Sequence, residues 1–138
     1  MKELNKCLDL RQRISDLNNL LEDIACRIRY PKAQTISDMP RLSSGGGNPI
    51  ERYILQQEKY ETRKKAAETE LNDTWNAVVI LFNRKKLHKD EILLMRLRFY
   101  YGYQWKQCAA IMREKYGDTW NENKVFRTYR KVVKTLQE

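Results

Sequence analysis

The chain has 138 residues and carries 27 Lys and Arg against 18 Asp and Glu, a formal net charge of +9. That length holds one ordinary domain, or a small domain with an extended arm, and excludes a large two-domain enzyme. Five glycines and three prolines exclude collagen-like and low-complexity chains, and 41% hydrophobic residues suffice for a core, which argues against wholesale disorder despite a mean hydropathy of −0.79.

No apolar run approaches the roughly 20 residues of a membrane span, and the start, Met1-Lys2-Glu3-Leu4-Asn5-Lys6, lacks the apolar core of a signal peptide. A soluble, cytoplasmic protein is expected. Cys7, Cys26 and Cys108 are widely spaced, with no CxxC and no nearby His pair. His88 sits among Lys85, Lys86 and Lys89, which repel a metal cation. Neither a metal nor a cofactor is expected, and the thiols read as reduced and partly buried.

The positive charge is uneven. Residues 84–138 carry a surplus of +8 and residues 1–83 a surplus of +1. A near-neutral arm joined to a basic end implies two tasks, one of them binding a polyanion.

In chain order, residues 3–29 read as a helix. Leu10, Ile14, Leu17, Leu21, Ile24 and Ile28 alternate steps of four and three, with Cys7 one step earlier, which is the seam of a coiled coil. Pro31 disfavours helical geometry at Tyr30 and ends it. Residues 31–49 hold Pro31, Pro40, Pro49 and Gly45-Gly46-Gly47, a linker by composition. The glycines lack the preceding strand and following Lys-Ser/Thr of a nucleotide loop. A second helix starts at Pro49 or Ile50 with Asn48 as N-cap and continues to Lys86. Its seam is Ile50, Tyr53, Gln57, Tyr60, Lys64, Ala67, Leu71, Thr74, Val78 and Leu81. Two such stripes pair either within one chain, as an antiparallel hairpin, or between chains, as a homo-oligomer. Sequence leaves both open.

From Leu87 the pattern changes to short helices. The first opens at Lys89 or Asp90 and ends near Gly102, and the second runs from about Gln104 to Tyr116 with Gly117 at its C-terminus. The turn precedes a last helix to Leu136, N-capped by Asn121 or by a Thr119–Glu122 capping box. Val125, Tyr129, Val132 or Val133, and Leu136 form its apolar stripe. Away from that stripe stand Asn123, Lys124, Arg127, Thr128, Arg130, Lys131 and Lys134. Three short helices, the last amphipathic and basic, outline a helix-turn-helix. With Asn121, these polar residues are the candidate DNA-binding set, amides and arginines for base edges and lysines for phosphates. The expected fold is therefore all-α: a helical arm over 1–86 and a helix-turn-helix over 87–138.

Met95-Arg96-Leu97-Arg98-Phe99, Gly102, Trp105-Lys106, Ala109 and Val125-Phe126-Arg127 resemble the C-terminal helix-turn-helix of bacterial sigma factors, their region four. The chain is more similar still to small phage-encoded sigma-like regulators of late transcription, the RinA and ArpU type. The likeness is specific over residues 90–136 and architectural before them. It implies a phage or prophage transcription regulator in a bacterial host, with promoter DNA and host RNA polymerase as partners. The chain departs from the family near Arg113, where a sharp glycine turn is usual. Residues 113–119 add more than a helical turn, which either lengthens the second helix or opens a loop, and leaves Asn121, Asn123 and Lys124 as alternative base readers.

An enzyme is not expected. Asp90-Glu91 and Asp118 are isolated carboxylates better placed as helix-start residues than as an acid-base pair or a nuclease metal set. The alternative function is a small phage adaptor or inhibitor that grips a host complex through its arm, with the basic end mimicking or blocking nucleic-acid contacts. RNA-binding signatures are absent.

Overall fold

The computed structural model describes residues 2–30 and 49–138. All regular structure among them is helical: α1 (Lys2–Arg29), α2 (Pro49–Arg84), α3 (Lys89–Met95), α4 (Trp105–Tyr116) and α5 (Glu122–Gln137). A π-helical turn over Arg96–Tyr100 continues α3. The fold is all-α. The Gly/Pro linker and the Asn48 cap lie outside the described residues, while Pro49 is the first residue of α2, where its missing N–H has no helical partner to lose.

The chain forms two compact units, one of residues 13–67 and one of residues 1–12 with 68–138. These units do not follow a division at residue 86, because the first turns of α1 and the last turns of α2 are counted with the C-terminal helices. In the first unit Ile14, Leu17, Ile24 and Ala67 are buried, and Tyr53, Gln57, Tyr60 and Lys64 are half-buried along α2. The heptad stripes are thus the packed faces, including their polar middle. The Arg27 guanidinium lies over the Tyr53 ring at 6.0 Å.

In the second unit Leu4, Cys7 and Leu10 of α1 are buried, as are Leu71, Trp75, Val78 and Phe82 of α2. Lys6 pairs with Glu70 at 3.2 Å, about half exposed on both sides, so the pair contributes well under about 1 kcal/mol. Within each unit, then, α1 and α2 meet in the same chain, through Lys6 and Glu70 in one and through Arg27 and Tyr53 in the other.

Helix α3 begins after His88, whose backbone N–H donates to Glu91 Oε1 at 3.1 Å. The π turn then aims two sequence neighbours at different partners. Phe99 stacks on Tyr129 of α5, with ring centroids 6.0 Å apart. Tyr100 packs on Trp75 of α2 at 5.7 Å, donates its hydroxyl to Asn72 Oδ1, and accepts from Arg11 Nε at its carbonyl, 2.7 Å away. Gly102 follows at φ +78° and turns the chain into α4. Leu94, Leu97, Cys108, Ala109, Met112, Trp120 and Val125 close one apolar cluster beneath α4 and α5.

Candidate nucleic-acid interface

Helix α4 continues through Arg113 to Tyr116 and leaves a short turn before α5. Gly117 ends the helix at φ +110°, ψ 174°, backbone that glycine alone adopts freely, and its N–H reaches Arg113 O at 2.9 Å. Arg113 Nε closes the turn from the helix side by donating to Trp120 O at 3.2 Å. Asn121 then caps α5, its carboxamide oxygen accepting the Lys124 N–H at 2.9 Å. Between the two caps that sequence leaves open, the geometry selects Asn121 over Thr119.

With the start of α5 fixed at Glu122, its faces follow. Val125, Val132 and Leu136 are buried. Tyr129 is half-buried between Phe99 and Trp105, the latter ring 4.8 Å away. Asn123, Arg127, Arg130 and Lys134 recur at steps of four, three and four, so they form one ridge opposite that stripe, and all four are exposed. Lys124, Thr128 and Lys131 form the flank between ridge and core. The expected residues are therefore together on one helix, but in two rows, with Asn121 at the head of both. Asn121 spends its oxygen on the cap and keeps only its amide NH2 for a ligand.

The flank is concave. Lys124, Arg127, Thr128 and Lys131, with Thr119 from the turn, line a shallow groove of about 440 Å³. The Lys124 ammonium sits 4.4 Å above the Trp120 ring, which is itself buried at 3% exposure. Thr128 Oγ1 donates to Lys124 O at 2.8 Å. Among the described residues no carboxylate pairs with any of the five cations of α5, and Arg127, Arg130, Lys131 and Lys134 are exposed. Thr119 and Trp120 were not legible as site residues, since both precede the helix and only the folded turn brings them beside Lys124.

Comparison with known proteins finds no matching family, curated protein or solved structure.

Other chemistry is sparse. Among the described residues no cluster of His, Cys, Asp and Glu could hold a metal, and no helix is long and apolar enough to cross a membrane. Burial pushes the Cys7 and Cys108 thiols up to about 11, which leaves them protonated and unreactive near neutral pH.

Proposed function

We propose that the chain is a phage or prophage transcription regulator that binds promoter duplex DNA, with α4 and α5 acting as a helix-turn-helix and host RNA polymerase as a further partner. The observation that carries this reading is the division of α5. Its apolar stripe is seated on Phe99 and Trp105 through Tyr129, while the five cations on its remaining surface have no carboxylate partner among the described residues.

A helix about 10–12 Å across with its side chains fits a major groove about 12 Å wide. Anchored through its buried stripe, α5 presents Asn123 and Arg130 outward, where amide and guanidinium groups can make paired hydrogen bonds to base edges, with Arg127 beside them. Lys131 and Lys134, farther along, add phosphate contacts whose free energy comes largely from released counterions. The regulatory role and the phage setting rest on the resemblance over residues 90–136.

The test is the salt dependence of duplex binding by the full chain. Replacing Arg127 and Lys131 together by Ala removes two cations without touching the buried stripe. The slope of log affinity against log salt then flattens by about 2. An unchanged slope refutes the interface. Selection from a random duplex pool at fixed salt supplies the second readout, in which one enriched motif marks a sequence reader. Absence of any duplex binding, with the arm retaining a host protein, returns the adaptor function instead.

A further inference from the structure

The two rows on α5 are not equivalent, and the flank row has a shape of its own. On the ridge, Asn123 and Arg130 project from a convex helix face and are exposed. Beside the flank, Lys124, Lys131 and the ridge residue Arg127 line a concavity with Thr119 and Thr128, and none of the five lining residues is acidic. From Lys124 to Lys131 the groove runs seven residues, about 10 Å along the helix.

We infer that this groove seats a phosphodiester group of the bound duplex, so that Lys124 grips the backbone rather than reading a base. The inference rests on the DNA-binding reading above and assigns the site within it. Four features carry the assignment. The ammonium of Lys124 is held over the Trp120 face, a cation–π attraction that positions the charge without neutralising it. A compact ammonium is suited to an anionic oxygen and lacks the fork that pairs with a base edge. Arg127, at the border of ridge and groove, can donate two parallel N–H bonds to phosphate oxygens. Finally, Thr128 has committed its hydroxyl hydrogen to Lys124 O, so the groove's hydroxyl donor is Thr119, from the turn. A seat built from the turn and the flank together fixes the register of α5 on the backbone and leaves sequence reading to Asn123 and Arg130.

The experiment uses the full chain and three probes: duplexes of several sequences, inorganic phosphate, and inorganic tripolyphosphate. Lys124→Gln keeps an aliphatic stem over Trp120 and removes the charge, and Thr119→Val removes the turn hydroxyl. Each lowers duplex affinity by the same factor for every sequence, and Lys124→Gln also flattens the salt slope by about 1. Lys124→Arg restores the slope. Asn123→Ala and Arg130→Ala instead change the ranking of sequences. In NMR titrations of the wild type, phosphate moves the Trp120 indole N–H and the Thr119 and Lys124 amides saturably, and duplex displaces it.

A sequence-dependent loss in Lys124→Gln, with the slope unchanged, overturns the seat while leaving DNA binding intact. Tripolyphosphate that saturates the groove without competing with duplex overturns it too, since the seat then serves a free polyphosphate. If the wild type binds phosphate there but no duplex, the DNA-binding reading fails separately.

Discussion

Gly102 is the position where backbone strain and side-chain crowding can be separated. At φ +78° an L side chain costs about 1–2 kcal/mol from the backbone alone. A Cβ added there would also lie 2.6 Å from Arg11 Cγ, closer than such atoms approach. Arg11 cannot swing aside freely, because its Nε donates to Tyr100 O at 2.7 Å and its guanidinium covers the Tyr100 ring at 5.5 Å. Displacing it forfeits a charged hydrogen bond, about 1.5–3 kcal/mol for a buried partner and less here because Arg11 is half-buried. Gly102→Ala is therefore expected to destabilise by about 2–4 kcal/mol. In an Arg11→Ala background only the backbone strain remains, about 1–2 kcal/mol, giving a coupling of about 1–2 kcal/mol between the two sites. Urea unfolding of the four proteins at equal m-value measures it. Equal costs of Gly102→Ala in both backgrounds, within about 0.5 kcal/mol, would refute the crowding argument and leave conformational strain as the whole effect.

Asn121→Ala removes the α5 cap and is expected to cost about 1 kcal/mol in urea unfolding, whereas Asn121→Asp, which keeps the accepting oxygen, costs far less; equal losses would show that the cap is not what the side chain contributes. The buried thiols give a pH dependence. Cys7 and Cys108 sit near 11 in the fold against 9 when unfolded, so the folded state holds the proton more tightly and stability is fully present below pH 9 and falls as pH rises toward 11. Cys7→Ala and Cys108→Ala each flatten that alkaline decline, and a decline of undiminished steepness in the double variant would assign it to other groups.

Much of the fold is legible because its packing is periodic. Every position of the α2 seam, from Ile50 to Leu81, is buried or half-buried, even Gln57 and Lys64, since a heptad stripe places its residues on the packed side regardless of polarity. The ends of α3, α4 and α5 follow from Gly102, Gly117 and Asn121, each a residue with a conformational reason to stop or start a helix. The division into units is not legible. Leu4, Cys7 and Leu10 continue the same stripe as Ile14 and Leu17, and periodicity says which face is buried but not what covers it. For the same reason the surroundings of Trp75 and Trp120 resolve only in three dimensions: both are buried, one against Phe82 and Tyr100, the other beneath Lys124.

The π turn at Arg96–Tyr100 decides how the basic helix is supported. In an ordinary α-helix, neighbours such as Phe99 and Tyr100 point about 100° apart, and one of them commonly faces solvent. The wider turn lets both be used, Phe99 against Tyr129 of α5 and Tyr100 against Trp75 and Asn72 of α2. The stripe that seats α5 and the last turns of the arm therefore meet at two consecutive residues of one short element. A fragment cut at residue 87 would lose Arg11, Asn72 and Trp75 and leave Tyr100 without each of those partners. Tyr100 adjoins Phe99, which stacks on Tyr129, on the back of the helix whose opposite ridge carries Asn123, Arg127 and Arg130. The arm's first and last turns thus belong to the support of the cationic surface, and the minimal unit that presents it includes residues 1–12 and 68–138.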